Sequence, residues 1–168
     1  MRRALAMLAL CVAFSATAAV APEVSVEALA READAVVRGT VASARSRWAP
    51  DGRHIRTLVS LRRLSTWRGT PPADLVVEVP GGSVGNIAQA VSGAPSFETG
   101  EEVVVFLRAA GAGRWRVLGL ALGKFRVEAG SAVPQLAGVR IDRAPLRSGE
   151  RRVEAMPVEE LERRVRAP

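Results

Sequence analysis

Ala35-Val36-Val37-Arg38-Gly39-Thr40-Val41-Ala42, Pro50-Asp51-Gly52 and Ile55-Arg56-Thr57-Leu58-Val59-Ser60-Leu61 decide the fold. In the first stretch Val37, Gly39 and Val41 alternate with Arg38, Thr40 and Ala42. In the third, Ile55, Thr57, Val59 and Leu61 alternate with the residues between them, the period of a strand with one buried face. Between the two, Pro50 presets the backbone for a turn and Gly52 accepts the positive φ that would strain other residues. The spacing predicts one long hairpin with its tip at Pro50 to Gly52.

Working outward, Ser25 caps a helix over about residues 26–33, with Val26, Leu29, Ala30 and Ala33 on one face and Glu27 in its first turn. Downstream, Leu75, Val77 and Val79 make a third strand that stops at Pro80-Gly81-Gly82. Ile87, Ala88, Ala90 and Val91, in the connection over residues 83–99, are spaced for one or two helical turns, in a run too short to set the period. Val103, Val105 and Leu107 begin a fourth strand, Trp115 and Val117 a fifth, and Phe125 and Val127 a sixth or a continuation. Strands this dense, with short crossovers, disfavour a parallel sheet and point to a closed or nearly closed antiparallel barrel of five to six strands. It spans residues 20–128. Beyond Glu128 the alternation fades, so residues 129–155 read as a loose extension. A helix then follows Pro157, with Glu159 and Glu160 at its start and Arg163, Arg164 and Arg166 at its end. Its narrow stripe, Val158, Leu161 and Val165, is expected to pack on the barrel.

The chain opens as an export signal does. Arg2 and Arg3 precede an uncharged run from Ala4 to Phe14, and Ser15-Ala16-Thr17-Ala18-Ala19 supplies small residues for cleavage after Ala18 or Ala19. An uncleaved anchor is the alternative, against which the run is short and Ala-rich. Leu10 before Cys11 does not suit a lipoprotein site. Removing residues 1–19 removes the single cysteine, leaving no disulfide and no thiolate metal site. The expected place is periplasmic or extracellular. Of the 24 basic residues all but Lys124 are arginine, so the net charge of +7 hardly responds to pH until strong alkali. Such a charge suits acidic partners and also serves solubility.

Three stretches carry a resemblance: Ala33-Asp34-Ala35-Val36-Val37-Arg38-Gly39-Thr40-Val41, then Leu64-Ser65-Thr66-Trp67-Arg68-Gly69, then Phe97-Glu98-Thr99-Gly100-Glu101-Glu102-Val103-Val104-Val105-Phe106-Leu107. Over about residues 33–107 the chain resembles the netrin-module and metalloproteinase-inhibitor type of OB-fold. The resemblance implies an OB-like barrel with short N-terminal and C-terminal helices, and a helix between the third and fourth strands, where residues 83–99 lie. Inhibitors of that type reach a catalytic zinc through an N-terminal cysteine, which the mature chain lacks, so no inhibitory residue carries over. Pro80-Gly81-Gly82, Gly93-Ala94-Pro95-Ser96-Phe97 and Gly123-Lys124-Phe125 also resemble a pattern of exported bacterial proteins, a likeness that implies no activity.

Few residues suggest chemistry. Gly81-Gly82-Ser83-Val84-Gly85 matches the nucleophile-elbow spacing, and His54, Asp74 and Ser83 run in a chymotrypsin-like order. The only histidine precedes Ser83, however, and the chain is short for either hydrolase fold. One histidine builds no ordinary zinc site, and Asp51, Asp74, Glu98, Glu101 and Glu102 show no calcium-loop spacing, so neither metal nor cofactor is expected. Trp48, Trp67 and Trp115 each adjoin an arginine, but strand neighbours point to opposite faces. Export argues against a nucleic-acid partner. The expectation is an exported, non-catalytic binding or protein-interaction module of the bacterial envelope, with no transmembrane segment once the leader is cut. Its partner would be an envelope or extracellular protein. Binding is placed at Trp48, Arg56, Trp67 and Arg68 on the hairpin and at Gly82 and Ser83 in the glycine-rich connection. The alternatives are a protease inhibitor and a small serine hydrolase using Ser83 and His54.

Overall fold

A computed structural model describes residues 19–136 and 138–168; the leader read at residues 1–19 falls outside them save for Ala19, which begins the first strand. In chain order the elements are β1 (Ala19–Pro22), α1 (Val26–Glu32), β2 (Ala35–Trp48), β3 (Ile55–Arg68), β4 (Asp74–Pro80), β5 (Gly82–Val84) and β6 (Ile87–Gln89). They continue with β7 (Glu102–Ala109), β8 (Arg114–Val117), a 3-10 turn (Leu120–Gly123), β9 (Lys124–Glu128), β10 (Ser131–Pro134), β11 (Val139–Asp142), β12 (Met156–Pro157) and α2 (Val158–Arg166).

The chain is mainly β and forms a closed five-stranded, OB-like barrel whose sheet carries three extra strands, with two helices and, among the described residues, two separate strand pairs, β1–β11 and β5–β6. The ring runs β7-β2-β3-β4-β8 and closes because β8 returns to pair with β7. The hairpin tip lies where the spacing put it, with Ala49 N donating to His54 O at 2.7 Å. One barrel pairing is parallel, β4 with β8 at Val76↔Arg114 and Val77↔Trp115, where the alternation suggested only antiparallel neighbours. The chain from Pro80 to Arg114, β7 included, supplies the long crossover that a parallel pair requires.

β7 shares its second edge. Val103 to Val105 pair with β9, and Leu107 to Ala109 pair with β8, so the sheet branches there and continues outside the barrel through β9, β10 and β12. Two cores follow from this branching. Inside the barrel lie Val37, Val41, Val59, Leu61, Leu75, Val77, Val103, Val105 and Leu107. Outside it, under the helices, lie Val26, Leu29, Val36, Trp67, Val104, Phe106, Phe125, Leu161 and Val165. Phe106 and Phe125 meet there with ring centroids 5.9 Å apart and planes tilted by 46°. Burying side chains of this size stabilises by about 1.5–3 kcal/mol each. Ser25 Oγ accepts from Ala28 N at 3.0 Å, the cap its position predicts, and α2 buries its Val158, Leu161 and Val165 stripe.

Two expectations are corrected. Residues 83–99 contain no helix: β5 and β6 pair as a small hairpin around Gly85-Asn86. Ile87 and Ala88 are exposed, so they offer no buried face for a helical turn to rest on. The stretch after Glu128 is also more ordered than its composition suggests. β10 turns back on β9 through Ala129-Gly130, and β11 pairs in parallel with β1, joining Ala19 to Val139 and Pro22 to Asp142. These strands are four residues long, too short to display alternation.

Candidate functional site

The hairpin tip is fixed by Asp51. Its Oδ1 accepts from the backbone N–H of Arg53 at 2.9 Å and of His54 at 3.2 Å, and its Oδ2 lies 2.6 Å from His54 Nδ1. These contacts, the Arg53 N–H foremost and the His54 ring next, hold the carboxyl down from 3.8 to about 2. A carboxyl depressed on folding contributes its stabilisation in full above its unfolded value of 3.8 and loses it as pH falls toward 2. The Arg53 and His54 amide resonances should therefore titrate with a midpoint near pH 2, and a midpoint near 3.8 in an NMR titration would mean that the turn lacks these bonds.

Beside the tip, four distant parts of the chain wall a cleft of about 620 Å³: the turn with His54 and Arg56, the end of β4 with Glu78, Val79 and Pro80, Pro95, and Arg116, Val117 and Leu120. Its apolar side is Val79, Pro80, Pro95, Val117 and Leu120. Its polar side centres on Glu78, whose side chain is only 12% exposed. Arg56 Nη1 donates to Glu78 Oε2 at 2.9 Å, Arg114 Nε lies 3.3 Å from the same oxygen, and Arg116 Nη2 lies 3.7 Å from Oε1. One carboxylate thus answers three guanidinium groups. Arg56 Nε is buried without a hydrogen-bond partner among the described residues, whereas Arg114 Nε meets Glu78 as an ion pair without hydrogen-bond geometry. An unmatched buried donor is uncommon and marks a place suited to an acceptor.

A second cleft of about 480 Å³ adjoins the first, sharing Val79, Pro80 and Pro95, and is lined further by Ser46, Thr57, Gly82, Ser83, Gln89 and Phe97. Gly82 is needed at this spot: a Cβ there would sit 2.3 Å from Ser46 Oγ and 2.4 Å from Thr57 Oγ1, two hydroxyls bonded to each other at 2.9 Å. Gln89 Oε1 accepts from Ile55 N at 2.6 Å and ties the small hairpin to the large one.

Of the residues singled out from the sequence, the fold brings Arg56, Gly82 and Ser83 to these neighbouring clefts. Trp48 ends β2 at the hairpin tip and is 40% exposed. Trp67 is a correction: it is buried in the helix-side core, because register shifts between β2 and β3 at Val36/Val37 and Arg38/Gly39 turn that end of the hairpin toward α1 and α2. It offers no surface for stacking. Arg68, half-buried opposite Val36, lies at that same end and away from both clefts. Ser83 and His54 line different clefts, His54 is engaged by Asp51, and Asp74 stands opposite Arg62 at the far end of β4. The three are not assembled into a triad. Among the described residues no group of three or more His, Cys, Asp or Glu is placed to hold a metal ion, and no helix is long and apolar enough to cross a membrane.

Sequence reasoning missed Glu78, Arg114, Arg116 and Leu120. The Arg114-Trp115-Arg116 alternation carried a signal, since it turns Trp115 toward the barrel core and both arginines outward. Nothing marked Leu120, which holds a φ of +54° while 41% exposed. No family model matches this chain, and no curated protein is similar to it in sequence.

Proposed function

We propose that this chain is an exported, non-catalytic binding module of the bacterial envelope that seats a protein partner in the cleft beside the hairpin tip. The observation that carries this reading is Leu120. A bulky side chain in the left-handed region costs roughly 1–2 kcal/mol, and spending that strain on an exposed apolar group makes sense where the group serves a partner. Around Leu120 the cleft offers what protein interfaces use at their centres, a small apolar floor beside arginine. Loops from distant parts of the chain meet there on a rigid barrel, the ordinary place for recognition.

Leu120→Asn tests the reading, because Asn tolerates the left-handed region far better than Leu. The variant should unfold at the same denaturant concentration as the parent or a higher one, with a gain of up to about 1 kcal/mol. Used as bait against an envelope fraction, the parent should retain a partner through a high-salt wash and the variant should not, since apolar contact survives screening. Equal retention by both, or retention by neither, would remove this cleft from the function.

A further inference from the structure

We infer that the outer face of β2, β3, β4 and β8 is a track for a linear acidic polysaccharide. This goes beyond the cleft reading: the face abuts the cleft and shares Arg56, Glu78 and Arg116 with it, while its own groove lies at Arg45 and Arg47. The strand register places Arg45 opposite Leu58 and Glu78, Arg47 opposite Arg56 and Pro80, and Arg114 beside Val76, so these side chains share one face of the sheet. Arg116 follows on the same side of β8, opposite Arg108 of β7. Glu78 is the single carboxylate among them. Arg45 and Arg47 are exposed and form no ion pair among the described residues.

The pairing itself works against stability. Arg47 faces Arg56, and Arg116 faces Arg108, directly across the strands, an arrangement of like charges that destabilises a sheet. Strand spacing sets neighbouring positions about 4.8 Å apart across the sheet and about 6.7 Å apart along a strand, so the unpaired Arg45 and Arg47 stand beside the Arg56, Arg114 and Arg116 cluster whose three charges meet the single Glu78. Between them runs a groove of about 420 Å³ lined by Ser43, Arg45, Arg47, Leu58, Ser60 and Val76. Guanidinium groups in this array take carboxylates in bidentate fashion, and the serine hydroxyls both donate to and accept from sugar hydroxyls.

What the face lacks selects the polymer. Trp67 and Trp115 pack against the two cores, and Trp48 alternates to the side opposite Arg47, so the track holds no aromatic platform for the stacking on which single-stranded nucleic acid depends. Its apolar content is the half-buried Leu58 and Val76 and the exposed Pro80, without the aromatic anchor on which a protein interface is built.

Binding of the purified protein to a fluorescently labelled oligogalacturonate, followed by anisotropy across a salt series, tests this directly. Arg45→Gln with Arg47→Gln should weaken binding by about tenfold or more and flatten its salt dependence, with unfolding unchanged or shifted to higher denaturant. Arg140→Gln with Arg163→Gln, which removes as much charge elsewhere on the surface, should bind as the parent does, and so should Leu120→Asn, which separates this surface from the cleft. The methyl-esterified, uncharged oligomer should not bind. The inference is overturned if the Arg45/Arg47 pair can be replaced without loss, if the Arg140/Arg163 pair costs as much, or if the uncharged oligomer binds equally. Tighter binding of a labelled oligothymidylate, or of vesicles containing phosphatidylglycerol, would likewise overturn it and assign the face to those polymers or surfaces.

Discussion

Lys124→Met should lower the free energy of unfolding by about 3–5 kcal/mol, the loss that follows when one partner leaves a buried ion pair. Lys124 and Glu101 have side chains only 1% and 2% exposed. The ammonium donates to Glu101 Oε1 at 2.6 Å, to Ser96 O at 2.5 Å and to Gln135 Oε1 at 2.7 Å, which uses all three of its protons. Its nitrogen also stands 4.6 Å from the centre of the Phe97 ring. Burial pulls the ammonium below its ordinary value of 10.5, while the Glu101 hydrogen bond opposes that pull. Methionine would match the stem and strand the carboxylate. Adding Glu101→Gln to Lys124→Met should therefore restore part of the loss, since a neutral amide is cheaper to bury and can still accept from Glu98 N as Glu101 Oε2 does at 3.0 Å. Denaturant titration of the three proteins checks the order. A single-variant loss under about 1 kcal/mol would mean that Arg126, whose Nε lies 3.9 Å from Glu101, takes over the charge. The pin matters for recognition as well, because Ser96 and Phe97 form one wall of the second cleft.

Gly69→Ala should cost about 3 kcal/mol, whereas Gly52→Ala should cost about 1 kcal/mol. Both glycines hold similar positive φ, +74° at Gly69 and +65° at Gly52, so the conformational penalty is common to the two. The difference is space. A Cβ at Gly69 would stand 2.1 Å from the carbonyl oxygen of Asp34 and 3.1 Å from the Cα of Ala35, backbone that cannot step aside without dragging the start of β2 with it. Nothing lies within 4 Å of the corresponding Cβ at Gly52. Midpoints of urea unfolding separate the two outcomes, and equal losses would mean that the Asp34 corner yields easily.

Much of the barrel was legible because its strands are long or half-buried. Val59 and Leu61 do face the barrel interior, Ile55 on the same row is buried beside the cleft, and the Pro50 to Gly52 tip is local chemistry. The faces of Trp48 and Trp67 were less accessible, since register shifts in β2 and β3 decide them and no periodicity reveals a shift. The arginine-rich face escaped for a related reason: Arg47 meets Arg56 only after the shift between Val41 and Ser43. The β1–β11 pair joins residues far apart in the chain, and each strand is too brief to announce itself. The cleft was half visible. Arg56 and the glycine-rich connection were in hand, but Leu120 enters through a backbone angle rather than a residue pattern.

β7 stands in two rooms at once. Val103, Val105 and Leu107 face the barrel interior, Val104 and Phe106 face the helices, and all five are fully buried. An ordinary strand keeps one row of positions open to mutation, where drift is absorbed by solvent. Here five adjacent codons have no such outlet, and a change of volume at any of them must be answered by a neighbour in one core or the other. The variable part of β7 begins only at Arg108, so differences among sequences sharing this architecture should gather there and in the loops, leaving the apolar run as its slowest-changing signature.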